Sequence, residues 1–276
     1  MLVFPLLQKD LGAWSPWGNL LQLTDQMDII YAEVKKPHEN RDPSGTDMLS
    51  LMMAAKDEQG QQMSDVDLRD ELITLLVVGH KTTATSLTWA LYWIHHFPQM
   101  REKLFQELDN LGEKPDANEI LKLPYLNAVC SETLRLYPVA MLALNKLVKS
   151  PLEVMGYNLE PGTLVISCIY LTHRREDLYP DSKQFKPERF LERQFSTSEF
   201  LSFGCGNRRC IGMAFALFKM KLVKPTILSQ WDMELADTEL VQPARKGALL
   251  GPSGGVKMVV KGKRFQSQRV FDSSMI

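Results

Sequence analysis

Residues Phe203-Gly204-Cys205-Gly206-Asn207-Arg208-Arg209-Cys210-Ile211-Gly212 form a glycine-framed loop that delivers one cysteine, Cys210, to the start of an apolar helical run. A thiol so placed is suited to bind a metal. Unpaired backbone N–H groups and the positive end of the macrodipole favour a thiolate at a helix N-terminus, and Arg208 and Arg209 add positive charge nearby. Gly206 and Gly212 carry no Cβ, so the backbone on either side of the cysteine can approach a large flat ligand closely. Two other readings of the sulfur stay open: a buried cysteine that only packs, and a structural zinc site drawing on Cys205, Cys210 and histidines, for which paired spacing such as Cys-x-x-Cys is lacking.

Two further constellations carry chemistry. In Glu132-Thr133-Leu134-Arg135 an acid and a base stand three residues apart on a helical segment, so they share a face. Alone, that is an ordinary ion pair worth about 0.3–0.5 kcal/mol if exposed. In Gly79-His80-Lys81-Thr82-Thr83, a mid-helix threonine can turn its hydroxyl toward the i−4 carbonyl, and Gly79 leaves room for a ligand against the backbone. Thr82 and Thr83 can equally be tolerated helix residues.

Phe203, Gly206, Arg208, Cys210 and Gly212 stand at the spacing of the heme-thiolate loop of the cytochrome P-450 superfamily, and the chain resembles its soluble, particularly cyanobacterial, members. The resemblance implies that Cys210 is the thiolate ligand of heme iron, Arg208 a donor to a heme propionate, and Phe203 a ring packed beside the sulfur. A cysteine thiolate in such proteins pushes electron density onto the iron and favours O–O cleavage. Glu132 and Arg135 match the family's Glu-x-x-Arg helix and Pro187-Glu188-Arg189-Phe190 the segment supplying a second arginine, so the implied triad is Glu132, Arg135 and Arg189, a scaffold rather than chemistry. Thr82 resembles the hydroxyl that steers protons during oxygen activation. The implied activity is that of a monooxygenase, an oxidoreductase inserting one oxygen atom from dioxygen into an apolar substrate, with electrons from a redoxin or flavoprotein partner. Substrate-facing candidates are Val77, Val78, Val139, Met141, Leu142 and Leu144, which suggests a fatty acid or hydrocarbon.

The chain departs from the family pattern in three places. Lys81 stands where relatives usually place an acid; an ammonium does not relay protons as a carboxylate does, so slow or uncoupled turnover is expected. Lys146 occupies the place of an arginine that often binds a heme propionate, keeping the charge but losing the bidentate fork. Pro225 should end or kink the helix that follows the loop. The resemblance covers residues from about Leu20 to Val260 and corresponds to the C-terminal portion of a family member. A catalytically incompetent remnant is therefore an alternative to an active enzyme.

The elements that must position these residues can be read in outline. Helical spacing predicts helices over Leu20–Lys36, Asp47–Lys56, Ser64–Phe97 with a Ser64/Asp67 capping box, Pro98–Leu111, and Leu126–Tyr137. Leu72–Val78 is apolar on every side and should run through the core. Strand-like runs follow at Leu144–Val148, Leu152–Met155 and Thr163–Ile169, joined by Gly156-Tyr157 and Pro161-Gly162. Residues His173–Ser202 are polar and irregular, matching the family's meander. A helix runs from Gly212 toward Pro225, and Lys246–Leu250 with Val256–Lys261 should form a terminal hairpin. The expected class is mainly α with small β-sheets, a cytochrome P-450-like fold lacking its N-terminal helices. One domain over 1–262 and a disordered tail over 263–276 are expected.

Composition agrees with a globular protein. The 276 residues are 45% hydrophobic, enough for a large core, and the net charge of -1 argues against a nucleic-acid partner. Lys261-Gly262-Lys263-Arg264 reads as a small solvated basic run. Four scattered cysteines and no secretory leader favour reduced thiols in a cytoplasm. No apolar stretch reaches the roughly 18 residues of a membrane span.

Overall fold

The computed structural model describes residues 9, 12, 14–39, 45, 47–112, 116–237, 239–247 and 249–264. Among the described residues the architecture is mainly helical, with four two-stranded antiparallel sheets. The chain forms two compact units, Met1–Val78 and Gly79–Ile276. In the first, α1 (Pro16–Glu39) and α2 (Met48–Ala54) accompany the first half of α3 (Asp65–His96). Ser64 and Asp67 make the expected reciprocal cap: Asp67 N–H donates to Ser64 Oγ (3.2 Å), and Ser64 N–H and Oγ–H both donate to Asp67 Oδ2 (3.2 and 2.6 Å). The expectation that Leu72–Val78 crosses the core fails at its C-terminal end, where Leu76, Val77 and Val78 are 66%, 61% and 55% exposed.

The second unit holds the main core. Trp89, Tyr92, Trp93 and Ile94 from the last turns of α3 pack with Met100, Leu104 and Leu108 of α4 (Pro98–Asp109), with Leu126, Val129 and Leu136 of α6 (Pro124–Leu136), and with Leu228 of α9 (Met213–Gln230). Trp89 stacks on Tyr137 with ring centroids 3.8 Å apart. The start of α6 is anchored by Glu107, whose two oxygens accept from Tyr125 and Leu126 N–H at 2.6 and 2.9 Å, a carboxylate at the positive end of the helix. Between α4 and α6 lies α5 (Ala117–Lys122), which the helical pattern missed because it is one short turn and a half. Its Asp116/Glu119 capping box was the available signal.

Several sequence expectations need correction. β2 (Leu152–Val154) pairs with β3 (Tyr157–Leu159), so Tyr157 is in a strand and not in the link; the two-residue turn is Met155-Gly156, both at positive φ (51° and 83°), which suits strand twist. β1 (Lys146–Leu147) pairs with β4 (Leu164–Val165), and Ile169, expected in a strand, opens α7 (Ile169–Thr172). Helix α9 does not end at Pro225 but continues to Gln230. β6 (Pro243–Lys246) pairs with β7 (Leu249–Pro252), while β8 (Met258–Lys263) pairs with β5 (Trp231–Leu235), so the expected terminal hairpin is two separate ladders. Alternation alone cannot choose between local and distant strand partners.

The basic run is part of that last ladder. Lys261 Nζ meets Glu234 Oε1 at 2.5 Å, and Arg264 reaches both oxygens of Asp109 at 3.0 and 2.7 Å while its guanidinium lies over Phe105. Lys263 is the last residue of β8, and residues 265–276 of the expected tail lie outside the described residues.

Candidate metal centre

The cysteine loop is a closed turn set on a built platform. Cys210 N–H donates to the Phe203 carbonyl at 2.8 Å, closing the loop, and Gly204 N–H donates to the Leu201 carbonyl at 2.8 Å. Between them, Gly206–Arg208 form a 3-10 turn. Gly204 and Gly206 lie at φ +71° and +65°, a region that resists side chains. The Cys210 thiol is exposed and free, and its neighbour Ile211 is 95% exposed. A Cβ added to Gly212 would meet the Cys210 sulfur at 3.9 Å, so the sulfur lies against that glycine. Gly212 is the N-cap of α9, which places Cys210 just ahead of the helix.

Beneath the loop, Phe203 packs with Phe200, Leu217 and Leu87 against buried Cys130, Leu134 and Met220. That cluster joins α6, α9 and the second half of α3. It puts the helix carrying Lys81 and Thr82 on the same platform as the loop. Lys81 is exposed and Thr82 half-buried. Around them Thr85 Oγ1–H donates to the Lys81 carbonyl (2.9 Å) and Ser86 Oγ–H to the Thr82 carbonyl (3.2 Å), so hydroxyls share the backbone acceptors of this turn. A Cβ at Gly79 would meet nothing within 4 Å outside the local helix. Lys146 is exposed on β1, and no bond ties it to the loop among the described residues. Of the apolar candidates, Val139 is buried in the core, whereas Val77, Val78, Leu142 and Leu144 are exposed.

The segment leading into the loop is tied to α6 by a buried polar network. Glu132 and Arg135 are both 0% exposed; Arg135 Nε and Nη2 donate to the two Glu132 oxygens at 2.6 and 2.8 Å, and Arg189 Nε donates to Glu132 Oε1 at 3.2 Å. Lys186 N–H adds a further donor at 2.8 Å. The other N–H groups of Arg135 go to the carbonyls of His173, Ser182 and Gln184 at 2.6, 2.8 and 3.1 Å, so all five guanidinium donors are used. The pair is thus a buried triad, as the resemblance implied, and not the weak surface ion pair its spacing alone would give.

His173, which pattern reading passed over, carries this order to the loop. Its Nε2 accepts from Leu201 N–H at 2.8 Å, so Nδ1 holds the proton and donates to the Arg135 carbonyl at 3.0 Å. One residue on, Ser202 Oγ–H donates to the Leu134 carbonyl at 2.9 Å. Burial depresses the His173 pKa to about 4, which keeps the ring neutral. The available sequence signal was that it is the single histidine after residue 96.

A sequence model of the family described as Cytochrome P450 matches residues 2–259. The chain belongs to the cytochrome P450 family. Cytochrome P450 135B1 of Mycobacterium tuberculosis is 36% identical over 250 residues, covering 90% of this chain and 52% of that protein. Pentalenene oxygenase of Streptomyces avermitilis is 29% identical over 240 residues, 85% of this chain and 52% of that protein. Among solved structures, a retinoic acid bound cyanobacterial CYP120A1 matches with a TM-score of 0.75 at 29% identity, over 84% of this chain and 56% of that one. The chain spans about half the length of the curated relatives it matches.

Cytochromes P450 hold heme iron through a cysteine thiolate, and the loop suits that group. It presents one exposed thiol beside the exposed Ile211, with open space over Gly206 and the sulfur lying against Gly212. Arg208 and Lys146 are exposed, and neither has an anionic partner among the described residues, so both cations can meet carboxylates. The zinc alternative has no donor set behind it: among the described residues no three His, Cys, Asp or Glu side chains converge to hold a metal ion. No helix among the described residues is long and apolar enough to cross a membrane.

Proposed function

We propose that this chain is the thiolate-bearing part of a heme monooxygenase that inserts one oxygen atom from dioxygen into an apolar substrate. The observation that carries the reading is the exposed Cys210 thiol on a loop closed by the Cys210–Phe203 backbone bond. In this reading Cys210 ligates the iron, Phe203 packs beneath the ligand loop, Gly206 and Gly212 admit the ring, and Arg208 and Lys146 bind its carboxylates. Heme, when bound, supplies the oxygen-activating chemistry. Thr82 holds a proton-donating hydroxyl, and Lys81 beside it is a poor relay at neutral pH. The substrate is of the fatty acid or hydrocarbon class. Support comes from the exposed apolar side chains Val77, Val78, Leu142 and Leu144 and from two relatives whose names carry retinoic acid and pentalenene. Electrons come from a redoxin or flavoprotein donor.

The test is reconstitution of the purified chain with hemin, reduction and exposure to carbon monoxide. The expected result is the strongly red-shifted Soret band of a thiolate-bound heme, lost in Cys210→Ala. Identical spectra for the two proteins would overturn the assignment, and a chain that takes up no heme would favour the incompetent remnant.

A second outcome concerns Lys81. Replacement by Glu restores a group that can both give and take a proton near neutral pH, so Lys81→Glu should raise the fraction of reducing equivalents recovered in product by severalfold over peroxide release. Measured coupling that stays unchanged would remove Lys81 from the proton path.

A further inference from the structure

Lys224 is a fully buried lysine, 0% exposed in the second half of α9, and its Nζ–H donates to the sulfur of equally buried Cys130 on α6 at 2.7 Å. Among the described residues the amine has no carboxylate and no other acceptor. A buried amine whose remaining N–H groups meet no acceptor is costly. The separation is also short for so large an acceptor: 2.7 Å lies at the near edge of the range for N–H···O, and sulfur is bigger than oxygen. Neither residue belongs to the triad or the ligand loop. Both lie in the platform under Phe203, where Cys130 and Leu134 on one helix face Met220, with Lys224 one turn beyond it on the other.

We infer that Cys130 and Lys224 are the two halves of a redox-formed covalent link between α6 and α9, a sulfenamide made under peroxide. In the first step the sulfur attacks one peroxide oxygen, the O–O bond breaks, and the thiol becomes a sulfenic acid with release of water. In the second, Lys224 reacts as the neutral amine: its nitrogen lone pair attacks that sulfur, the S–O bond breaks, and the departing hydroxyl takes one amine proton and leaves as a second water as the S–N bond forms. Sulfur is oxidised by two electrons and peroxide is reduced by two; one thiol, one amine and one peroxide give one S–N link and two waters. The nitrogen is already at the sulfur, so the second step needs no search. Access for peroxide comes from Pro225, the next residue, which removes one i→i−4 bond from α9 and makes local opening easier there. The product removes a buried, under-bonded amine and a thiol together. It closes a loop between residues 94 apart and clamps the two helices on which the ligand loop rests.

The test needs no heme and is therefore independent of the monooxygenase reading. The folded full-length chain is treated with hydrogen peroxide, excess peroxide is removed, free thiols are blocked, and the protein is digested with trypsin. The expected product joins peptide Leu123–Arg135 to peptide Leu222–Arg245, at a mass two hydrogen atoms below their sum, and dithiothreitol separates them. The joined species should be absent from Cys130→Ser and from Lys224→Met, the latter a variant in which an apolar side chain of similar length fills the same space. Closing a loop of this size should also raise Tm of the oxidised wild type by roughly 5–10 °C over the reduced form, with no such rise in Lys224→Met. Recovery of Cys130 in folded protein only as free thiol, or only as sulfinic or sulfonic acid with Lys224 unmodified, would overturn the inference.

Discussion

Glu132→Gln should destabilise the second unit by about 3–5 kcal/mol, read as a large fall in the urea midpoint of the chain. The carboxylate is fully buried and receives two bonds from Arg135, one from Arg189 and one from Lys186 N–H. Gln keeps the shape but supplies no negative charge, and its amide nitrogen meets guanidinium donors head on. Two buried guanidinium groups are then left without a counter-ion, which is the expensive way to break such a network. Set against a typical domain stability of about 5–15 kcal/mol, the loss is enough to populate unfolded chain at room temperature. An internal control is Lys103→Ala, which removes an exposed 2.7 Å ion pair to Glu188 and should cost no more than about 1 kcal/mol. Equal losses for the two variants would mean that the triad is not the anchor of the meander.

The second large effect is acid sensitivity arising from His173. Its ring accepts from Leu201 N–H, so a second ring proton would point one N–H at another, and burial holds its pKa near 4, against 6.5 when free. Above about pH 6.5 the ring is neutral in folded and unfolded chains alike, and its full contribution is present. Between 6.5 and 4 the unfolded chain binds a proton that the folded chain refuses, so stability falls with falling pH, by about 3 kcal/mol in all. His95, shifted downward by burial although its bond to the Leu91 carbonyl opposes the shift, acts in the same direction. Urea titrations at pH 7.5 and 4.5 test this: wild type should lose about 2.5 kcal/mol more than His173→Gln over that interval, because the variant has no ring to protonate. Parallel losses would place the acid lability elsewhere. The physical consequence reaches the site, because Leu201 and Ser202 are the last ties before the Cys210 loop.

Local chemistry made much of this protein legible from its residues. Gly206 sits at positive φ, a proline opens α4, and the Ser64 cap begins α3; each depends on neighbours within one turn. The same holds for the loop that presents Cys210, whose spacing is the family signature and whose backbone closure spans only residues 203 to 210. The distant pairings were not legible. Strand β8 chose β5 over its neighbour β7, and the small Lys261–Arg264 run became a ladder with ion pairs, because hydrogen-bond partners along a strand edge are interchangeable until packing selects one. Pro225 stayed inside a helix because it is buried there with Leu228 and Met220, and burial of that face outweighs one lost backbone bond.

Residue types and their spacing were enough to single out the thiol and the loop around it, and the resemblance of that loop to a known motif supplied the family, since both depend on residues adjacent in the chain. The fold had to decide which charges are buried, that His173 links Arg135 to the ligand loop, and that Lys224 faces a cysteine. Those outcomes join residues 28 to 94 positions apart, and desolvation, which sets their energies, exists only once the helices have closed around them.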